Sequence, residues 1–200
     1  MNEIERRWLT AELRAADDAP RRLEGYAAIF NSASGDLGGF REMIAPGAFR
    51  RTLAENADVR ALWNHEAMYV LGRTTTGTLR LSETAQGLWM AVDLPDTQYA
   101  SDLLALVRRG DVNQMSFAFR KVVDDWSKGD DLPLRRLLDV DLFDVSPVTF
   151  PAYEATNVAV AMRDIPAWVR GGTAQAARDV AGRLDVLRKR VDVMSSEIGG

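Results

Sequence analysis

Proton transfer near neutral pH has one obvious candidate in this chain, because His65 is the only histidine among 200 residues. Histidine is the only side chain whose ordinary pKa lies between about 5 and 8. It sits in the segment Leu62-Trp63-Asn64-His65-Glu66, which reads as the end of an apolar strand. If the chain catalyses hydrolysis, His65 is predicted to be the proton carrier. A buried, hydrogen-bonded histidine would look the same in sequence, so its partners decide between the two interpretations.

Ser116 is the best candidate for a nucleophile among nine serines, most of which lie in loop-like or terminal stretches. Alternation along a strand would place Ser116, Ala118 and Arg120 on one face. The opposite face would then carry Met115, Phe117 and Phe119. A small hydroxyl beside bulky apolar neighbours can be held rigidly. The alternative is that Ser116 is merely a small residue on a crowded face.

Asp144 is the candidate for the acceptor that orients the imidazole. It interrupts the apolar segment 142–148, where a carboxylate without a partner would be costly. Alternatively, it lies on a solvated face, as Asp139 and Asp141 are expected to do. Glu66 is a poorer candidate, because consecutive strand residues point to opposite faces.

The chain order histidine, serine, aspartate differs from the orders of chymotrypsin, subtilisin and the α/β-hydrolases, and Ser116 lacks the Gly-x-Ser-x-Gly turn. The chain contains no cysteine, which excludes a thiolate nucleophile, a disulfide framework and a cysteine zinc site. Neither a metal nor a cofactor is predicted. A net charge of −4 and a pI near 5.1 argue against a nucleic-acid partner.

Short apolar segments with strand character follow one another through most of the chain, which favours a barrel or a sandwich. They are residues 23–30, 59–63, 68–71, 77–81, 87–94, 114–123 and 137–150. Residues 31–39 and 124–131 are predicted to be loops. A short helix is predicted over 46–53. A longer helix is predicted over 97–109, with Asp96 as its N-cap and Gly110 as its stop.

The last part of the chain differs in character, since a hinge at Gly171-Gly172 precedes a charged, helix-prone segment. Its apolar residues follow the spacing of a short coiled-coil seam: Val180, Leu184, Leu187, Val191 and Met194. A helix folded back on the core is an equally good interpretation. We therefore expect a domain over 1–165 and a tail over 166–200. Neither a signal peptide nor a membrane span is evident, so the protein is expected to work inside the cell that makes it.

Several short motifs, in this order and spacing, resemble the HK97-type prohead maturation proteases over about residues 22–160. The motifs are Glu24-Gly25-Tyr26-Ala27 with Phe30-Asn31, Ile44-Ala45-Pro46-Gly47-Ala48-Phe49, Leu62-Trp63-Asn64-His65, Leu71-Gly72-Arg73, Met115-Ser116-Phe117-Ala118-Phe119, Asp144-Val145-Ser146-Pro147-Val148 and Pro151-Ala152-Tyr153. Each motif alone is weak, but their combination is specific.

The resemblance implies a fold and a set of site residues. The family is similar to the herpesvirus assemblins, so the expected fold is mainly β: a closed antiparallel barrel, with its core at about 22–160, surrounded by helices and followed here by a helical tail. His65 is then the general base and Ser116 the nucleophile. Asp144 matches an acidic position that is more often Glu in the family, and the assemblins have a second histidine there. Amides near Gly72-Arg73, or an arginine side chain, are candidates for the oxyanion hole.

The resemblance also implies a function. The expected activity is that of a serine endopeptidase, without a cofactor, that cuts the scaffolding segment of the major capsid protein, and also itself, during procapsid maturation. The setting would be a tailed phage, a prophage or a gene transfer particle, inside the procapsid in the bacterial cytoplasm. Because assemblins are activated by dimerisation, a homodimer is a further expectation. From the charge and the hydropathy, neither nucleic acid nor a membrane is expected as a partner. The alternatives are a capsid-assembly scaffold protein that keeps the fold without cleaving, and a hydrolase of small esters.

Overall fold

The computed structural model describes residues 4–10, 13–17 and 19–150. These residues form ten strands, two α-helices and one 3₁₀ turn. The strands are β1 Glu5–Thr10, β2 Arg14–Ala15, β3 Arg22–Ile29, β4 Arg41–Ile44, β5 Arg60–Leu62, β6 Val70–Arg73, β7 Leu79–Glu83, β8 Gly87–Asp93, β9 Gln114–Ser127 and β10 Leu134–Val148. The helices are α1 Arg50–Ala54 and α2 Gln98–Arg109, and the 3₁₀ turn is Thr74–Thr76. Within these residues no helix has the length and apolar character needed to cross a bilayer.

The strands form two sheets. The larger has six strands in the order β1-β9-β10-β5-β6, with β4 also paired to β10, and the smaller has the order β2-β3-β8-β7. The long hairpin of β9 and β10 is the centre of the larger sheet. Both β4 and β5 pair with β10 in parallel, whereas β1 pairs with β9 in antiparallel. Three separate segments of the chain are thus attached to this one hairpin.

The expected closed antiparallel barrel surrounded by helices is wrong. In the described residues the chain is mostly β, but the larger sheet ends at β1 and β6 and the smaller at β2 and β7. The larger sheet is also mixed rather than antiparallel. The two α-helices have only 5 and 12 residues. Alternating hydrophobicity predicts which face of a strand is buried and not which edges pair, so closure could not be inferred from it.

One cluster of buried apolar side chains draws on both sheets. From β9 it takes Met115, Phe117 and Phe119, each at most 1% exposed, as the alternation predicted. The smaller sheet contributes Leu88, Met90 and Val92 among others. Helix α2 buries a stripe at the spacing of an amphipathic helix, formed by Ala100, Leu103, Leu104 and Val107. The core therefore lies against one face of the β9–β10 hairpin and leaves the other for the polar residues of the site.

Several element boundaries differ from the sequence predictions. Helix α2 has Thr97 rather than Asp96 as its N-cap, without a side-chain capping bond, while Gly110 ends the helix in the left-handed conformation as predicted. Residues 124–127, predicted as loop, extend β9 and pair with β10, because Arg135 and its neighbours continue the ladder. The predicted helix over 46–53 is mostly turn before the five-residue α1. The predicted helical tail lies outside the described residues.

Strand β1 is fastened to the larger sheet by a buried ionic network. Arg135 has no exposed surface, and its guanidinium donates to Glu5, Glu42 and Asp124 at 2.8–3.1 Å. Arg7 donates to Glu5 and Glu42 at 2.6–3.0 Å. Burial acts to lower the pKa of Arg135, but hydrogen bonds to Glu5 and the charges of Glu42 and Glu5 outweigh it and raise that pKa. Both guanidinium groups are therefore charged inside the protein.

Candidate active site

Ser116 lies near the start of β9, on the face opposite the apolar core. Its neighbours Met115 and Phe117 anchor the strand in the core, and Ser116 itself has no exposed surface. Both edges of the strand are occupied at this point, since Ser116 pairs with Trp8 of β1 on one side and with Ser146 of β10 on the other. The backbone that carries the hydroxyl is therefore fixed by hydrogen bonds on both sides.

A β-bulge brings Asp144 to the same face as Ser116. Leu142 pairs with Phe119, but Asp144 pairs with Ala118, so Phe143 is an extra residue in β10. In a regular ladder Asp144 would share the face of Leu142, which is in the core. The one-residue shift instead places Asp144 beside Ala118, on the face of Ser116. The bulge thus makes a carboxylate available to the site on a strand that otherwise packs the core.

His65 lies in the turn that follows β5, and not at the end of a strand as the sequence suggested. Asn64 and His65 have φ values of 56° and 60°, so both adopt the left-handed conformation. This conformation costs an L-residue roughly 1–2 kcal/mol, although asparagine tolerates it better than most. Because β5 runs parallel to β10 in register with Asp144, the turn after β5 projects over the end of β10.

Asn64 fastens this turn to the end of β10. Its backbone N–H donates to the Pro147 carbonyl at 2.9 Å. Its side-chain Oδ1 accepts from the Thr149 N–H at 2.8 Å, and its Nδ2 donates to the Thr149 hydroxyl at 3.3 Å. The three contacts hold the turn against the strand that carries Asp144, and so compensate for its unfavourable backbone conformation.

The imidazole of His65 joins the two other predicted site residues. Its Nε2 is 2.6 Å from Ser116 Oγ, and its Nδ1 is 2.6 Å from Asp144 Oδ1. Since an ionised carboxylate can only accept, Nδ1 carries the proton, and Nε2 is free to accept from the serine hydroxyl. The side chains of His65 and Asp144 are 8% and 11% exposed, so water competes little for these bonds.

Ser146 makes a further contact with this group. Its hydroxyl donates to Asp144 Oδ1 at 2.7 Å, and the residue has no exposed surface. Sequence reasoning missed both Ser146 and Asn64. The spacing of Asp144 and Ser146, two apart on a strand, was a usable signal because such residues share a face. The signal for Asn64 was its type, since asparagine is enriched in left-handed turns.

Two other sequence-based suggestions have different places in the structure. Glu66 was set aside because of strand alternation, but residues 64–66 are not in a strand, so that reason does not apply. Arg73, suggested as an oxyanion donor, donates through its side chain to Asp58 at 2.5 and 2.6 Å, and through its backbone N–H to the Thr78 hydroxyl. Both groups of Arg73 are thus already engaged.

The arrangement has the parts needed for nucleophilic acyl transfer. A serine hydroxyl contacts a nitrogen base, and that base contacts a buried carboxylate. Among the residues that the structure describes, no three His, Cys, Asp or Glu side chains converge as a metal site would require. Geometry of this kind defines the class of serine hydrolases, in which the same three roles recur on unrelated folds.

Comparison with known proteins narrows that class to a family. The chain matches the Caudovirus prohead serine protease family over residues 9–169, and it belongs to this family. It is 29% identical over 174 residues to the prohead protease of Enterobacteria phage HK97. This alignment covers 80% of this chain and 72% of that protein. The capsid assembly protease of bacteriophage T4 aligns in structure with a TM-score of 0.47 and 9% identity, over 72% of this chain and 98% of that one.

Proposed function

We propose that this chain is a serine endopeptidase in which Ser116 is the nucleophile, His65 the general base and Asp144 the residue that orients the imidazole. The observation that carries the proposal is the continuous contact from Ser116 through His65 to Asp144, with 2.6 Å at each step. Membership of the prohead serine protease family supports peptide as the substrate.

The reaction then proceeds in two halves. Ser116 Oγ bonds to the carbonyl carbon of the scissile peptide while its proton passes to His65 Nε2. The C–N bond breaks, the leaving amine takes that proton, and an ester to Ser116 remains. Water then attacks the ester carbon and gives a proton to Nε2, and the C–O bond to Ser116 breaks as Oγ recovers the proton. Asp144 stabilises the imidazolium that forms in each half.

The biological substrate in this proposal is the scaffolding segment of the major capsid protein, cut within the procapsid of a tailed phage, prophage or gene transfer particle. The name of the HK97 relative supports this setting, since that protein is a prohead protease. Cleavage of the chain's own tail belongs to the same proposal. A homodimer remains a prediction from sequence.

Co-expression with the major capsid protein of the same phage or prophage tests the proposal, with mass spectrometry of the products. We expect the wild type to shorten the capsid protein, and Ser116→Ala to leave it at full length. Ser82→Ala is the matched control, because Ser82 is exposed on β7 in the other sheet. Cleavage by Ser116→Ala equal to that of wild type would overturn the assignment. Normal capsid maturation without cleavage of the capsid protein, both with the wild type and with Ser116→Ala, would favour the scaffold-protein alternative.

The division into a protease domain over 1–165 and a tail over 166–200 is also a proposal, in which the tail docks on helical scaffold. The heptad spacing from Val180 to Met194 supports it. Deletion of residues 171–200 should lower incorporation into procapsids while leaving cleavage of a short peptide unchanged. Incorporation equal to that of the full chain would exclude the docking role.

A further inference from the structure

The carboxylate of Asp144 is held by two donors on a single oxygen. Oδ1 accepts from His65 Nδ1 at 2.6 Å and from the Ser146 hydroxyl at 2.7 Å. Ser146 must be the donor in its contact, because an ionised carboxylate only accepts. This oxygen therefore has a second partner that does not change its protonation state when His65 does.

The two donors differ in how firmly they are held. His65 sits in a turn, and its side chain forms the bonds that must rearrange during a proton transfer. Ser146 lies inside the β9–β10 ladder, directly opposite Ser116, and has no exposed surface. Its hydroxyl is consequently a fixed reference point for the carboxylate, attached to the same ladder that carries the nucleophile.

We propose that Ser146 is a positioning residue of this site, which holds Asp144 Oδ1 in line with the imidazole throughout the reaction. The inference rests on the proposed function and adds a fourth residue to it. Ser146 does not touch the reacting atoms in this account. It acts through Asp144, whose side chain would otherwise be free to turn away from His65 whenever that hydrogen bond lengthens.

The alternative is that the Ser146 hydroxyl donates to Asp144 only to satisfy its own hydrogen bond and does not position the carboxylate. Removal of the hydroxyl would then lower stability and leave the alignment of His65 and Asp144 intact. A positioning role instead predicts a fall in kcat with little change in KM, since the alignment matters most when the imidazole becomes charged. The two roles are therefore separable by kinetics and by a direct signal from the imidazole.

Four substitutions make the test. Ser146→Ala removes the hydroxyl, whereas Ser146→Thr and Ser146→Val have nearly the same shape and differ in whether a hydroxyl is present. Ser101→Ala is the matched control, because its half-buried hydroxyl donates to the Thr97 carbonyl at 3.0 Å within helix α2. Kinetics are measured on a peptide spanning the capsid cleavage junction, and stability by urea unfolding.

We expect Ser146→Ala and Ser146→Val to lose about 10- to 100-fold in kcat with KM within about twofold, the range expected for a lost hydrogen bond to a charged group. Ser146→Thr should recover most of this loss. Ser101→Ala should lower stability without changing kcat. Wild-type kcat in Ser146→Ala, or equal kcat in Ser146→Thr and Ser146→Val, would overturn the proposal.

The single histidine supplies a readout that does not need activity. In protein labelled with ¹⁵N-histidine, only one imidazole contributes, so its Nδ1 proton can be assigned without ambiguity. We expect this resonance to move upfield or to exchange away in Ser146→Ala and to return in Ser146→Thr. A resonance unchanged from wild type in Ser146→Ala would overturn the positioning role. If Ser116→Ala cleaved normally, the proposed function would fail, whereas this signal would still report on the contact itself.

Discussion

At the scale of single residues, the carboxylate of Asp144 determines which nitrogen of the His65 imidazole carries the proton. Asp144 Oδ1 contacts Nδ1 and so sets the proton on the nitrogen that faces away from Ser116. An amide in this place could present an N–H to the ring and favour the opposite tautomer. Nε2 would then carry the proton and could not accept one from the serine hydroxyl.

Replacement of Asp144 by asparagine is therefore expected to reduce kcat by about 10⁴, as the same change does in a Ser-His-Asp triad. The side chains have nearly the same volume, so the fold should persist. Steady-state cleavage of the junction peptide measures the loss. Asp139→Asn is the control, since Asp139 also lies on β10 but pairs with Arg51 instead. A loss of less than tenfold in Asp144→Asn would contradict the role given to this carboxylate.

At the scale of elements, the turn after β5 and the bulge in β10 determine where the site residues meet. The bulge is also where prediction from sequence was weakest. Alternation correctly placed Ser116 opposite the core, because β9 is regular around it. On β10 the same rule would have put Asp144 beside Leu142 in the core, and the bulge at Phe143 has no reliable signal in the residues.

The pairing of distant segments was equally hard to predict. Strands β1, β2 and β4 were missed because they are short or charged. Two of them pair with strands far away in sequence, β1 with β9 and β4 with β10. Glu5 and Arg7 belong to a charged segment at the start of the sequence, yet both are buried near Arg135. Local sequence patterns identified the residues that could take part in catalysis and most of the longer strands. They did not identify ion pairs between distant segments, such as those that Arg135 forms.

Two substitutions of Asn64 separate the effect of its left-handed backbone from that of its side-chain hydrogen bonds. Asn64→Gly keeps the left-handed backbone and removes both side-chain bonds to Thr149, whereas Asn64→Ala also adds strain of about 1 kcal/mol. Both should lower kcat at least about tenfold, because the His65 turn loses its attachment to β10. Urea unfolding and kcat are measured together.

Asn56→Ala is the control for the strain alone. Asn56 has a φ of 51° just after α1, at the other end of β5 from the His65 turn. This variant should lose stability to a similar extent as Asn64→Ala while keeping the wild-type kcat. If Asn64→Gly also kept the wild-type kcat, the attachment to Thr149 would not contribute to positioning His65.

At the scale of the whole molecule, ion pairs connect strands that are far apart in sequence, and some of them make stability depend on pH. Hydrogen bonds from Arg73 lower the pKa of Asp58 to about 2 from an ordinary 3.8. The pKa values of Asp93 and Asp131 are also lowered, chiefly by hydrogen bonds from Arg80 and Arg41 respectively. Each carboxylate therefore binds protons less readily in the folded than in the unfolded protein.

The sign of the effect follows from this difference. A carboxylate with a depressed folded pKa stabilises the protein above its unfolded pKa, and the stabilisation is lost as pH falls through the folded value. For Asp58 the window runs from about pH 4 to about pH 2. Asp58→Asn should flatten the dependence of the unfolding free energy on pH there, and added salt should weaken it in wild type. Asp96→Asn is the control, since the Asp96 side chain is fully exposed and its ion pair with Arg21 is long, at 3.8 Å. An identical slope in Asp58→Asn would refute the linkage.

Loss of the buried ionic network around Arg135 is expected to lower the free energy of unfolding more than any other change considered above. Arg135→Met removes a cation that contacts Glu5, Glu42 and Asp124, and it leaves carboxylates in an interior where ionised groups are poorly solvated. Breaking such a buried pair typically costs about 3–5 kcal/mol. Arg80→Met is the control, since its pair with Asp93 is exposed and worth about 0–1 kcal/mol. Urea unfolding at neutral pH measures both. Equal losses would contradict a stabilising role for the network, whereas the expected larger loss in Arg135→Met would show that the network stabilises the fold in which β9 lies between β1 and β10.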